Sequence, residues 1–319
     1  MTAVKIISLQ YPVQDTEPVK TALPKTLAIG YFDGVHKGHQ NVIRRSVEAA
    51  RKAGLQSAVM TFYPHPKEVL GQGEQYVNGL TPLEEKVNRF RSLGVDVTYI
   101  VQFNLDFSAV TPAQFVEHVL RPLQVRKAVV GFDFSFGARG AGKADTLAEM
   151  GGPDISVEIV DPLLIDGKKV SSTLIRQALA EGKPEQAEQL LGEPYHVQGT
   201  VVHGEGRGSK IGFPTANLET KAAYVIPRQG VYAIMAEWDG KRIPGVLNIG
   251  VKPTFHDNLT KPVMEAHLLD FAGDIYGQSI TIHFISFLRT EKKFNSIDEL
   301  VAQIHADAEQ AKSVLSAFK

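Results

Sequence analysis

Near its amino terminus the chain runs Ala28-Ile-Gly-Tyr-Phe-Asp-Gly-Val-His-Lys-Gly-His-Gln-Asn-Val-Ile43. The apolar residues 27–29 predict a short strand, which enters a turn broken by glycines. A helix is predicted from Gln40 to Lys52, because apolar residues recur on one face of that segment and Gly54 is a natural C-cap residue. A strand that leads through a glycine turn into a helix is the repeating unit of an α/β fold.

Two histidines stand at the start of this helix. Residues three apart at a helix start point the same way, so we expect His36 and His39 to face the unpaired amides at the positive end of the helix dipole. Gly38 between them lets a phosphate approach the backbone. The same spacing also fits a turn in which both histidines only cap or pack. The preceding strand and the flanking glycines favour a triphosphate site.

The composition limits the class of protein. With 319 residues, 43% of them hydrophobic and 22% charged, the chain is long enough for two globular domains. A net charge of −1 argues against a nucleic-acid or anionic-membrane surface, and the lack of cysteine excludes disulfides and cysteine nucleophiles. Because the amino terminus lacks a signal peptide and no apolar run approaches the roughly 18 residues of a membrane span, we expect a cytoplasmic protein.

The first half of the chain alternates strands and helices. Strands are predicted at residues 57–62, 97–103 and 127–131, and helices at residues 81–93, with Thr81 as N-cap, and 111–120. This alternation predicts a doubly wound parallel sheet, whose ligands bind at the carboxyl ends of its strands. The histidine motif lies at such an end.

The pattern changes after Gly182. A short helix at residues 183–192 precedes predicted strands at residues 195–202, 230–238, 242–249, 263–269 and 279–288. Five or six short strands predict a small antiparallel β-barrel. A closing helix from Ser296 to Lys312 begins with a capping box to Glu299. We place the domain boundary near residue 185, which gives domains at residues 1–185 and 186–319.

Family resemblance starts from the histidine motif. The stretch from Gly30 to His39 resembles the His-x-Gly-His signature of nucleotidyltransferases, and its longer form resembles the flavin-adenylating part of the bacterial bifunctional riboflavin kinase/FAD synthetases. Three more stretches are similar to motifs of that family: Thr61-Phe-Tyr-Pro-His-Pro66, Gly131-Phe-Asp-Phe-Ser-Phe-Gly137 and Ser171-Ser-Thr-Leu-Ile-Arg176. Tyr63 stands where the family often has glutamate, so the role of that one position is in doubt.

The resemblance implies roles for residues of the first domain. His36 and His39 would steady the triphosphate in the transition state, and Ser172, Thr173 and Arg176 would hold its distal phosphates. Plain N-capping by Ser171 or Ser172 is the alternative for that helix start. The other implied contacts are with ATP at Gly30, Phe32, Asp33 and Gly38, with flavin at His65 and Phe134, and with the nucleotide or flavin at Asp133. In the second domain, Arg289 is also an implied flavin contact.

A glycine-rich segment dominates the second half: His203-Gly-Glu-Gly-Arg-Gly-Ser-Lys-Ile-Gly-Phe-Pro-Thr-Ala-Asn217. Its glycines could wrap a polyphosphate through backbone amides; they are Gly204, Gly206, Gly208 and Gly212. Thr215 and Asn217 project to one side of an extended segment and, with ATP phosphates, could hold a Mg²⁺ ion. The end of the segment, Gly-Phe-Pro-Thr-Ala-Asn, resembles the riboflavin kinase signature. No Walker A sequence is present.

The two implied reactions differ in their nucleophiles. The phosphate of FMN is already ionised at neutral pH, so its attack on ATP needs positioning and charge stabilisation but no general base. The ribityl hydroxyl of riboflavin is neutral and needs a proton acceptor. Glu265 is the candidate base, because Glu-Ala-His-Leu-Leu-Asp-Phe271 resembles a family motif; an outward solvated position is the alternative. For Arg289 a salt bridge with Glu291 or another neighbour is the alternative to ligand contact.

The resemblance extends over about residues 20–312, with the motifs in order in both halves. It implies a bifunctional enzyme that acts on riboflavin, FMN and ATP with Mg²⁺. The rival hypotheses are a chain that keeps only one activity, a flavin-sensing regulator without turnover, and a tRNA-synthetase-like protein. The last lacks a basic anticodon-type surface. The oligomeric state does not follow from the sequence.

Overall fold

The structure, a computed structural model, describes residues 5–13, 23–71, 73, 76–204, 208, 212–253 and 260–318. Gly206, predicted to contact phosphate, lies outside the described residues. The chain divides into two compact units, Met1–Ser172 and Thr173–Lys319. The domain boundary near residue 185 stays a prediction.

The first unit is built on a six-stranded sheet. The strands of this unit are β1 (Lys5–Leu9), β2 (Lys25–Ile29), β3 (Gln56–Tyr63), β4 (Val97–Gln102), β5 (Val125–Gly131), β6 (Ser135–Phe136), β7 (Gly142–Lys143), β8 (Ser156–Val160), β9 (Leu164–Ile165) and β10 (Lys168–Lys169). The sheet has the order β1-β4-β3-β2-β5-β8 and all its neighbours are parallel. Two small antiparallel hairpins, β6-β7 and β9-β10, lie outside it.

Helices cover both faces of this sheet. They are α1 (Lys37–Ala53), α2 (Pro66–Val69), α3 (Leu83–Ser92), α4 (Leu105–Ser108), α5 (Pro112–Phe115), which continues as a π-helical turn (Val116–Leu120), and α6 (Ala144–Gly151). In the central strand β2, Leu27 and Ile29 belong to one apolar core and Ala28 to the other. A strand that is buried on both faces is continuously apolar, which explains why residues 27–29 signal the fold so clearly. The predicted doubly wound sheet is confirmed.

The second unit contains a closed antiparallel barrel. Its elements, with the helix that begins at the last residue of the first unit, are α7 (Ser172–Ala180), α8 (Pro184–Leu191), β11 (His196–Val202), β12 (Ala216–Thr220), β13 (Gly230–Trp238), β14 (Lys241–Pro253), β15 (Thr260–Leu268), β16 (Ser279–Arg289) and α9 (Ile297–Leu315). The barrel order is β11-β12-β15-β14-β13-β16. Ala308, Ala311 and Leu315 of α9 pack on the outside of the barrel against Ala233 and Ile285. The predicted barrel with a carboxyl-terminal helix is confirmed.

The helix-capping residues predicted from the sequence are confirmed at two helix ends and wrong at a third. Ser296 caps α9 by accepting a hydrogen bond from the Glu299 amide, and Gly54 ends α1 in the left-handed conformation, as predicted. The predicted N-cap role of Thr81 is wrong. Pro82 is still extended, with φ −56° and ψ 159°, so α3 begins at Leu83 and has no side-chain cap. The chain therefore enters the helix one residue later than the proline signal indicates.

No helix in the described parts of the chain is both long enough and apolar enough to cross a membrane.

Candidate active sites

The histidine motif forms a tight turn between β2 and α1. Phe32, Gly34 and Val35 have positive φ angles of 55°, 80° and 42°. Glycine adopts this region freely, but a β-branched valine does so only under strain. Strained backbone of this kind is held in place by its surroundings and is concentrated at functional sites.

Side chains from distant parts of the first unit bind the carbonyl groups of this turn. The hydroxyl of Thr61 donates to the Tyr31 carbonyl at 2.9 Å, and the hydroxyl of Ser172 donates to the Asp33 carbonyl at 2.9 Å. Closer in the sequence, the side-chain amide of Gln40 donates to the Val35 carbonyl at 3.0 Å. In a trans peptide the N–H points opposite to the C=O. The turn therefore directs the following amides away from these side chains, as an anion site requires.

The two histidines lie at the start of α1. His36 is the N-cap residue, and its Nδ1 accepts a hydrogen bond from the His39 amide at 3.2 Å. The two imidazole rings stack with their centroids 3.5 Å apart and their planes at 17°. The edge-to-face ring of Phe32 packs on His39 at 5.3 Å. As expected from their spacing, both rings occupy one side of the helix start.

Burial keeps this histidine pair neutral. It lowers the pKa of His36 to about 4, although the Asp33 carboxylate opposes the shift. The pKa of His39 is also well below its ordinary value, first because the ring is buried and then because His36, Lys86 and Lys169 add positive charge. At neutral pH both rings are therefore uncharged, and any hydrogen bond that they donate comes from a neutral N–H.

Glycines and a carboxylate shape the turn around the rings. A Cβ at Gly38 would lie 3.2 Å from the His36 ring, and one at Gly30 would lie 3.0 Å from the Phe32 ring. The buried Asp33 carboxylate accepts a hydrogen bond from the Leu80 amide at 2.9 Å. These three predicted ATP contacts thus have visible packing roles, and their contact with ATP stays a prediction.

The predicted flavin contacts of the first unit fall in two groups. His65 caps α2 through the Lys67 amide and packs against the rings of Tyr31 and Tyr76, at 4.0 and 4.6 Å. Asp133 forms an ion pair with Lys169 at 2.5 Å. Lys169 also lies over the ring of Phe132 at 4.3 Å, and it was not among the predicted site residues.

Phe134 differs from these exposed groups. It is partly buried, packs against the core beneath the sheet and stacks on Phe136 at 5.5 Å. Ser172 binds the Asp33 carbonyl, a partner that the capping alternative did not include. Thr173 and Arg176 lie on α7 in the second unit. The ligand roles of these four predicted residues stay predictions.

In the second unit, a polar row crosses three strands on the outside of the barrel. Asn217 of β12 is in register with Glu265 of β15, which is in register with Asn248 of β14. Their strand neighbours Ala216, Met264, Ala266, Leu247 and Ile249 are buried in the barrel. Because successive strand residues alternate between faces, Asn217, Glu265 and Asn248 share the outer face. The Asn248 amide also lies 3.4 Å from Glu291, which extends the row.

Part of the glycine-rich segment packs against this row. A Cβ at Gly204 would overlap the carboxamide of Asn217, and one at Gly208 would overlap the Phe213 carbonyl and lie 3.4 Å from Thr215. Gly212 has a φ of 89°. Backbone without a Cβ thus packs against the carboxamide of Asn217 and the methyl group of Thr215, the two residues predicted to bind magnesium. The neutral oxygens of Thr215 and Asn217 fit a Mg²⁺ ion that takes its other ligands from phosphates and water.

Substituting Gly204 with alanine tests this packing. The added Cβ has to displace the Asn217 carboxamide, so we expect the KM for Mg·ATP in riboflavin phosphorylation to rise about tenfold, as for loss of 1.4 kcal/mol of binding. FAD formation from supplied FMN is the internal control and should not change. An unchanged KM for Mg·ATP would show that the packing of Gly204 on Asn217 does not affect metal binding.

Arg289 has a partner that sequence reasoning missed. Its guanidinium forms a bidentate ion pair with Asp307 of α9, with Nε–Oδ1 at 2.9 Å and Nη2–Oδ2 at 2.7 Å. Gln303 donates to the same carboxylate at 2.9 Å. The pair attaches the end of β16 to α9, and flavin contact by Arg289 stays a prediction. The ring of His203 stacks on that of Tyr276 at 3.8 Å, and Nδ1 of His267 lies 2.9 Å from the Pro214 carbonyl oxygen.

Together these features indicate a two-domain nucleotide-dependent transferase, with a strained turn whose outward amides suit an anion in one unit and a carboxylate beside the predicted magnesium ligands in the other. The family model of FAD synthetase matches residues 19–174, and that of riboflavin kinase matches residues 191–315. The bifunctional riboflavin kinase/FMN adenylyltransferase of Listeria monocytogenes is 43% identical over 97% of this chain and 98% of its own. That of Bacillus subtilis is 44% identical over 89% and 90%.

The chain belongs to the family of bifunctional riboflavin kinase/FMN adenylyltransferases, and both predicted catalytic domains are confirmed. A crystal structure of a macrolide-efflux protein from Streptococcus pneumoniae is also similar, with a TM-score of 0.87 and 32% identity over 96% of this chain and 99% of that one.

Proposed function

We propose that the first unit transfers the adenylyl group of ATP to FMN through the turn at residues 31–36. The observation that supports this role is the set of hydrogen bonds that turns the carbonyls of Tyr31, Asp33 and Val35 into the protein. The opposite side of the turn offers amides and the neutral N–H groups of His36 and His39 to a triphosphate. These donors stabilise charge that grows on the α-phosphoryl oxygens as the bond to pyrophosphate breaks.

The attacking group in this reaction is a phosphate oxygen of FMN. It is an anion at neutral pH, so no residue of the turn has to remove a proton. The new bond joins that oxygen to the α-phosphorus of ATP, and pyrophosphate leaves with the electron pair of the broken bond. Neutral histidines suit this step, because they donate hydrogen bonds without first taking up a proton. Ser172, Thr173 and Arg176 are proposed to bind the leaving pyrophosphate.

The second unit is proposed to phosphorylate riboflavin. Glu265 removes the proton of the ribityl hydroxyl, whose oxygen attacks the γ-phosphorus of ATP while ADP leaves. The supporting observation is the register that places this half-buried carboxylate directly beside Asn217 on the outer face of the barrel. Thr215 and Asn217 would hold Mg²⁺, which when bound neutralises charge on the transferred phosphoryl group.

Two parallel incubations test the whole proposal. The full-length protein is mixed with ATP, Mg²⁺ and either riboflavin or FMN, and riboflavin, FMN and FAD are separated by chromatography over time. From riboflavin we expect FMN to appear first and FAD after it. FMN without FAD would leave only the kinase, FAD made only in the incubation with FMN would leave only the adenylyltransferase, and no product in either would favour a flavin-sensing regulator. We also propose that these reactions take place in the cytoplasm.

A further inference from the structure

A buried lysine lies behind the anion-binding turn. Lys86 is on α3, and its side chain is only 2% exposed. A buried ammonium group is costly unless it is well bound, so its position calls for a specific interaction. Nζ donates a hydrogen bond to the Tyr31 carbonyl at 2.9 Å and lies 3.8 Å from the centre of the Tyr31 ring. One cation thus fixes both the backbone and the side chain of the first residue of the turn.

A second cation on α3 binds the same turn. Arg89, three residues after Lys86, donates from Nη1 to the Gly34 carbonyl at 3.2 Å. Residues three apart lie on the same face of a helix, so α3 presents both positive groups to the turn together. The two carbonyls bracket the strained stretch in which Phe32 and Gly34 have positive φ angles.

We propose that Lys86 is a positioning residue for adenylyl transfer, which sets the direction of the phosphate-facing amides and of His36 by binding the Tyr31 carbonyl. This inference rests on the proposed function of the first unit. Because the peptide is planar, a carbonyl bound to the ammonium turns the Phe32 N–H to the opposite side. The positive charge also polarises that peptide, which makes its N–H a stronger donor to phosphate.

The same charge makes the inference testable by pH. Burial lowers the pKa of Lys86 to about 8, and the Asp33 carboxylate opposes the shift. The other charged or titratable groups near it are His39 on α1, whose pKa its charge lowers, and Arg89 on its own helix. A lysine with a lowered pKa is protonated below that value and loses its charge as the pH rises through it. Adenylyl transfer should therefore weaken above about pH 8.

The decisive variants are Lys86→Met and Lys86→Arg in the full-length protein. Methionine keeps the length of the side chain but donates no hydrogen bond, and we expect its kcat for FAD formation from FMN to fall about 10²-fold, as for a small misplacement of a reacting group. The KM for FMN should change less than threefold. Arginine does not lose its charge, so Lys86→Arg should retain activity and show no fall in kcat/KM near pH 8.

Arg91→Met is the matched control, because Arg91 is an exposed residue of the same helix and donates to the side chain of Asn88. We expect the rate of this variant to stay within twofold of wild type. A wild-type kcat in Lys86→Met would overturn the inference, and so would an alkaline fall in Lys86→Arg with the wild-type midpoint. If Lys86→Met does not fold, the arginine variant alone decides. If the wild-type protein makes no FAD, the proposed adenylyl transfer by the first unit is itself refuted.

Discussion

Substituting His36 with alanine is expected to abolish FAD formation, with a fall in rate of about 10³-fold, the upper range for loss of one transition-state hydrogen-bond donor. The ring of His36 has three roles at once. It caps the first turn of α1 through the His39 amide, stacks on the His39 ring at 3.5 Å, and is proposed to donate to the triphosphate. Its loss therefore removes a donor and also frees the second histidine to move. Chromatography of FAD formed from FMN and ATP measures the effect.

His36→Asn separates capping from catalysis. Asparagine is a favoured N-cap residue, so this variant keeps the start of α1 but has no imidazole. We expect it to stay as inactive as the alanine variant. His118→Ala is a histidine control in the same unit and should retain full activity, because the exposed His118 ring lies against Tyr11, where it bonds to the hydroxyl and stacks on the ring. Ordinary FAD synthesis by His36→Asn would remove the ring from the catalytic site.

Substituting Glu265 with glutamine is expected to lower riboflavin phosphorylation by about 10³-fold, within the range for loss of a general base. Glutamine has nearly the same shape and can still bond to its neighbours, but it cannot take a proton from the ribityl hydroxyl. The KM for riboflavin should therefore change little while kcat falls. The rate of FMN formation with saturating ATP and Mg²⁺ measures this, and FAD formation from supplied FMN should continue unchanged.

Glu219→Gln is the matched control for this change. Glu219 is an exposed residue of β12, two positions after Asn217 and so on the same face of that strand. It undergoes the same chemical substitution near the site, and we expect normal phosphorylation. If both variants lost phosphorylation activity equally, the cause would be the loss of negative charge on this face and not the loss of a base. A normal rate of phosphorylation in Glu265→Gln would refute the assignment of Glu265 as the general base.

Local chemistry explains why much of the fold could be predicted. The run 27–29 is apolar on both faces because β2 lies at the centre of a sheet covered by helices. Gly54 and Ser296 mark helix ends through hydrogen bonds that involve only nearby residues. The sequence pattern predicts only an extended segment where strand β12 lies, because this strand is five residues long and follows a glycine-rich loop.

The site was less predictable because its key contacts join residues far apart in the sequence. Thr61, Lys86 and Ser172 bind carbonyls of a turn from which they are separated by 30, 55 and 139 residues. No spacing rule connects them. Arg289 shows the same limit at shorter range, because its partner Asp307 is reached only when α9 packs on the barrel. Motifs predict the reacting groups, and tertiary contacts determine what holds them.

The two units differ in the strand edges they leave open. The barrel closes on itself through the pairing of β11 with β12 and β16, whereas the parallel sheet ends at β1 and β8. At β8 the carboxylate of Glu158 binds Arg45 and Lys127, and such charges discourage the addition of a foreign strand. Half of the Ile6 surface at β1 is exposed, slightly more than the 43% of Ile159 at β8. Aggregation during refolding should therefore start from β1 of the first unit, while the barrel stays resistant to it.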